Sequence, residues 1–120
     1  MYQISKQFAF EASHQLTGLT PSTHPCMRMH GHSYRVELVL ERYTLDERGF
    51  VVDYGDMAPF EHYLKSMLDH QHLNLILDIN PTAENIARHL YDVAWALFHD
   101  VRITVRVSET QKTWASFTET

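Results

Sequence analysis

Apolar and polar residues alternate from the second residue on. Tyr2, Ile4, Phe8, Phe10 and Ala12 share one face of Tyr2–His14, while Gln3, Ser5, Gln7 and Glu11 share the other. A two-residue period is that of a strand packed on one side. Residues 15–31 lose the period and carry Gly18, Pro21, Pro25 and Gly31, so they read as a loop. Alternation returns over residues 32–43 with Tyr34, Val36, Leu38 and Leu40 in phase. Asp46-Glu47-Arg48-Gly49 is then a turn into a short return strand at 50–54. Met57, Phe60, Leu64, Met67 and Leu68 recur at helical spacing, with Asp56 as N-cap and Pro59 in the first turn. After a connector at 69–80, Asn80-Pro81-Thr82 starts a second helix whose apolar face is Ile86, Leu90, Ala94, Leu97 and Phe98. Val101, Ile103, Val105 and Val107 alternate once more, and Trp114 and Phe117 mark a last short strand. The pattern predicts an α+β fold: an antiparallel four-stranded sheet with two helices on one face, as one domain over residues 1–120.

Composition narrows the partners. At 44% hydrophobic residues the chain has the apolar content of a globular core, which excludes wholesale disorder. A domain of this length leaves roughly a third of its unfolded surface wet, and assembly into an oligomer is one way to cover more. The net charge of −5 argues against nucleic acid as a main partner. The longest apolar run spans residues 93–98, far short of the roughly 18 residues of a membrane span. The start MYQISKQFAF lacks the basic and apolar blocks of a signal peptide, and the single cysteine allows no internal disulfide. A cytoplasmic location is the expectation.

Nine histidines beside one cysteine are more than packing requires. In His30-Gly31-His32 the two imidazoles project the same way from an extended segment and can reach one ion. His14 and His32 each sit in register with the apolar face of their strand, where a shared zinc would give their nitrogens a partner. Three neutral histidines with an open fourth position is the pattern of a catalytic zinc site. Solvated loop histidines, or core histidines bonded to backbone, are the structural alternatives. Cys26 could be a fourth zinc ligand, a base or nucleophile, or an inert buried thiol. Asp69 beside His70 suits a general acid–base pair or a surface turn. Glu109 continues the odd-numbered phase of Val101 to Val107. It is either a buried carboxylate awaiting two side-by-side N–H donors or an exposed residue past the strand end.

The chain resembles the 6-pyruvoyl-tetrahydropterin synthase family in the order of its motifs. These are Phe8-x-Phe10-x-Ala12-x-His14, Cys26-x-x-x-His30-Gly31-His32-Ser33, Val52-Asp53-Tyr54, Leu68-Asp69-His70 with Leu73-Asn74, Pro81-Thr82-Ala83-Glu84-Asn85, and Glu109-Thr110. The short cysteine-to-histidine spacing is most similar to the bacterial 6-carboxy-5,6,7,8-tetrahydropterin synthase branch of the queuosine pathway. Ser13 and Met27 depart from the alanine and glycine common in relatives.

The resemblance implies the tunnelling fold, in which subunits assemble into a barrel as a trimer or hexamer with active sites between subunits. It implies zinc on His14, His30 and His32, and Cys26 as catalytic thiol. Asp69 and His70 would be a proton-transfer pair supplied by a neighbouring subunit. Glu109 would anchor a pterin, with Thr82 and Glu84 at the pocket wall. The implied substrate is 7,8-dihydroneopterin triphosphate, with Arg28 and Lys112 as candidates for the phosphates. The implied activity is a carbon–carbon lyase giving 6-carboxy-5,6,7,8-tetrahydropterin, acetaldehyde and triphosphate. A pyruvoyl-forming synthase and a non-catalytic zinc domain are the alternatives. His24, His62, His72, His89 and His99 have no implied role.

Overall fold

Two thirteen-residue strands form the spine of the sheet, because their alternating sequences pair without a break. The structure, a computed structural model, describes residues 1–119. Strand β1 (Tyr2–His14) runs antiparallel to β2 (His30–Arg42), with Tyr2 opposite Arg42 and His14 opposite His30. β4 (Arg102–Thr110) follows β2, and β5 (Thr113–Thr118) forms one edge. The last element, β3 (Gln71–His72), pairs in parallel with Ala12 and Ser13, giving the order β3-β1-β2-β4-β5.

One face of this sheet is apolar and holds the core. Phe8 and Phe10 of β1, Tyr34, Val36, Leu38 and Leu40 of β2, and Ile103, Val105 and Val107 of β4 are all buried. Against them pack helix α1 (Ala58–Tyr63), the wide turn Leu64–Leu68 that continues it, the single turn α2 (Leu73–Ile76) and the long α3 (Ala83–Leu97). None of the helices among the described residues is long and apolar enough to cross a membrane.

The α+β class stands, but the described residues form five strands where four were expected and three α-helices where two were expected. Residues 50–54 form no strand. The Asp46 carboxylate takes the backbone N–H groups of Arg48 and Phe50, and the Arg42 guanidinium donates to the Val51 carbonyl. Side chains thus satisfy the polar backbone that a neighbouring strand would otherwise bond. Asp53, not Asp56, caps the following 3-10 turn through the Gly55 N–H. In the wide turn Asp69 N–H reaches the Leu64 carbonyl five residues back, which shifts the helical phase. Leu64 and Leu68 stay buried while Met67 turns outward. Leu97 ends α3 and is likewise more exposed than its expected core position.

The Cα radius of gyration is 15.5 Å, above the roughly 14 Å typical of a compact domain of this length. The described residues form a single open sheet, and among them most of the outer edge of β1 has no strand partner, because β3 covers only Ala12 and Ser13.

Tyr63 and His89 join α1 to α3, with the Tyr63 hydroxyl 2.5 Å from His89 Nε2. Burial pushes the pKa of His89 below its ordinary value. The unfolded chain therefore takes up more protons. The contribution is fully present above about pH 6.5, the unfolded value, and is lost as pH falls from there through the lower folded value. Measured with a metal chelator present, the fall in Tm between about pH 7.5 and 5.5 should be smaller in His89→Gln. An equal fall would contradict this.

Candidate active site

The register of β1 on β2 brings three imidazoles to one end of the buried sheet face. His14 lies opposite His30 and Ala12 opposite His32, so all three even-numbered histidines project from the same side. One ring nitrogen from each lies within 4.8 Å of the other two. His14 is fully buried.

Backbone carbonyls fix which nitrogens face inward. His14 Nδ1 is 2.7 Å from the Pro81 carbonyl oxygen, and His30 Nδ1 is 2.7 Å from that of Arg28. A carbonyl only accepts, so both Nδ1 atoms carry the proton. Their Nε2 atoms are then bare lone pairs that face each other at 2.9 Å. His32 Nε2 is buried without an aligned hydrogen-bond partner, although Glu109 Oε2 lies 3.1 Å away. Converging lone pairs beside an orphaned nitrogen are resolved by a cation. A carbonyl on the far ring nitrogen is the usual support of a metal-bound histidine. Burial also pushes the pKa values of His14 and His32 down, so both are neutral near pH 7, the form that coordinates. The residues fit a divalent ion that favours imidazole.

Cys26 lies outside that cluster among the described residues. It is a free, half-buried thiol in the 3-10 turn Pro25–Met27. His24 caps this turn by accepting the Cys26 N–H, and the Leu16 N–H holds the Cys26 carbonyl at 2.9 Å. The geometry therefore does not make Cys26 a fourth ligand.

Asp69 and His70 are pinned to β1 at one residue. Glu11 N–H donates to Asp69 Oδ1 at 2.8 Å, and His70 N–H donates to the Glu11 carbonyl at 2.6 Å. Asp69 Oδ2 is 3.0 Å from His70 Nδ1, while the imidazole ring points into solvent. The Glu11 N–H, helped by His70, holds the Asp69 carboxyl below the usual carboxylate range despite an opposing desolvation. His70 adopts φ 61°, a left-handed backbone that a non-glycine residue keeps only where its surroundings enforce it. His70, Glu11, Ser13, Ser33 and His72 line a cleft of about 490 Å³.

Glu109 sits within an irregularity in β4. The register shifts between Val107 and Thr110, so Val107 and Ser108 are both buried and Glu109 is half-buried beside His32. Glu109 and Glu84 line a second cleft of about 240 Å³ with Ala83, Thr113 and Trp114. His32 lines the cleft that holds His70 and lies 3.1 Å from Glu109. Thr82 uses its hydroxyl to cap α3 through the Asn85 N–H, and Arg28 and Lys112 are exposed.

Several contributors carry little sequence signal. Ser13 and His72 share a hydrogen bond of 2.8 Å between β1 and β3. The Asn74 side chain bonds both N–H and C=O of Gln15, and that of Asn80 does the same for Thr17, which moors the loop leading to Cys26.

An α+β sheet thus carries three imidazoles that can hold a metal ion and, pinned to β1, a carboxylate–imidazole pair. A family profile described as 6-pyruvoyl tetrahydropterin synthase matches residues 3–120, and the chain belongs to that family. It is 36% identical over 97 residues to the 6-carboxy-5,6,7,8-tetrahydropterin synthase of Synechocystis, covering 76% of this chain and 73% of that one. The enzyme of the same name from Rickettsia bellii is 33% identical over 110 residues, covering 75% and 78%. An uncharacterized Wolinella succinogenes protein superposes with a TM-score of 0.86 at 23% identity, covering 99% and 98% of the two chains. The Caenorhabditis elegans 6-pyruvoyl tetrahydropterin synthase does so at 0.84 and 18%, covering 99% and 96%. The fold is thus the tunnelling fold of these synthases.

Proposed function

We propose that the chain converts 7,8-dihydroneopterin triphosphate to 6-carboxy-5,6,7,8-tetrahydropterin, releasing acetaldehyde and triphosphate, with zinc as its metal. The observation that carries this reading is the set of three inward-facing imidazoles, two with their tautomers set by backbone carbonyls, in a chain 36% identical to a carboxy-forming synthase. His14, His30 and His32 would hold the ion, which when bound supplies Lewis-acid polarisation of the substrate's side-chain hydroxyls.

The remaining roles belong to the chain's own groups. Cys26, four residues before His30 and held in its turn by Leu16 and His24, takes a proton as thiolate. His70, held by Asp69, delivers or accepts another from the chain's exposed surface. Glu109 receives the amino-pyrimidine edge of the pterin, with Glu84 and Thr82 at the wall. The His70 imidazole is turned to solvent, and in this reading the Asp69–His70 pair of one subunit serves the centre of its neighbour. The exposed edges of β1 and β5 join copies into a barrel, as a trimer or hexamer.

Incubation with dihydroneopterin triphosphate tests the reaction: acetaldehyde should appear in step with triphosphate. Triphosphate release with a pyruvoyl product and no acetaldehyde would overturn the carboxy assignment. Glu109→Ala should weaken dihydroneopterin binding at least about tenfold, as expected for a lost charge-assisted pair, while leaving the metal content unchanged. Unchanged affinity in a calorimetric titration would refute the anchor.

A further inference from the structure

Tyr34 is fully buried on β2, two residues beyond His32 and on the same face. Its ring stacks on Phe10 at 4.8 Å between centroids, with the planes 8° apart. Two of the three clustered imidazoles pack against it nearly at right angles, His32 at 5.5 Å and His14 at 6.0 Å. Its hydroxyl oxygen lies 3.0 Å from His14 Nδ1. That nitrogen already directs its hydrogen at the Pro81 carbonyl, so the phenol oxygen is a second acceptor of the same hydrogen.

We propose that Tyr34 is a positioning residue of the metal centre, its ring forming the wall behind His14 and His32 and its hydroxyl holding His14 with Nε2 turned toward the ion. The proposal rests on the reading of the three histidines as a metal centre. The hydroxyl lies at Nδ1, on the far side of the His14 ring from the Nε2 that faces the cluster, so it supports a ligand without becoming one. The support strengthens when a cation occupies Nε2, because an imidazole that donates electron density to a metal is a stronger N–H donor at its other nitrogen. Removing the hydroxyl consequently weakens the metal-bound state more than the metal-free one.

Chelator-competition titrations of zinc into the native chain, Tyr34→Phe and, as a remote control, Tyr63→Phe test this. Tyr34→Phe should bind zinc about tenfold more weakly, with an altered cobalt absorption spectrum. Its metal-free Tm should stay close to native, and Tyr63→Phe should match the native affinity. Native affinity and an unaltered cobalt spectrum in Tyr34→Phe would overturn the role of Tyr34 alone. A native chain that takes up no zinc would overturn the centre itself. Should Tyr34→Phe fail to fold, 3-fluorotyrosine placed at position 34 keeps the ring while weakening its oxygen as an acceptor. Zinc affinity must then fall in the same direction, and unchanged affinity overturns the proposal.

Discussion

Cys26→Ala is expected to keep one zinc per chain and to lose turnover by about 10²–10⁴-fold, the span that one positioned acid–base group contributes. The expectation follows from where the thiol sits. It is outside the group of three ring nitrogens that converge, so its removal takes nothing from the ligand set. The turn that carries it is held by backbone, through Leu16 N–H on the Cys26 carbonyl and the Cys26 N–H on His24. Alanine keeps both bonds, so the turn stays in place. Metal content by atomic absorption and turnover by acetaldehyde release give the two readouts. Loss of zinc along with activity would instead make Cys26 a ligand and favour a structural site.

The second large effect falls on His14. His14→Ala should release the metal and abolish turnover together. Closed four-ligand zinc sites yield about 10–16 kcal/mol, so one ligand accounts for about 3 kcal/mol, on the order of a hundredfold in affinity. His14 is also the buried member of the three, and its removal orphans the Pro81 carbonyl at the entry to α3. Leaving a buried acceptor without a donor costs about 1–3 kcal/mol more. Zinc stoichiometry in the purified variant and its Tm with and without added zinc would show both effects. A variant that kept one tightly bound zinc would place the metal elsewhere.

How much of this was legible in the sequence depended on the source of each constraint. β1 was read with its observed bounds, because an uninterrupted two-residue period is a property of side chains alone. The same period put His14 and His32 in phase with their strands, while His30, read in the loop and tied to His32 by its spacing, proves to open β2. The expected strand at 50–54 failed because the carboxylate of Asp46 and the guanidinium of Arg42 bond that segment's backbone, and no periodicity records such bonds. Glu109 was placed by extending the odd phase of β4. The register shift after Val107 breaks that phase, yet Glu109 still meets His32. The partners that fix the histidine tautomers are carbonyl oxygens of Pro81 and Arg28, which every residue possesses and no motif encodes. The Ser13–His72 bond was likewise hidden, since it depends on a two-residue parallel pairing across 59 positions.

The central claim is that the three-histidine centre is where the pterin reaction takes place. Zinc titrated into chelator-stripped protein, with acetaldehyde release from dihydroneopterin triphosphate followed at each addition, tests it most directly. Release should be absent from the stripped protein, rise in proportion to zinc, and break at one zinc per chain. Undiminished release from stripped protein, or zinc binding at one per chain with no release at any loading, would contradict it.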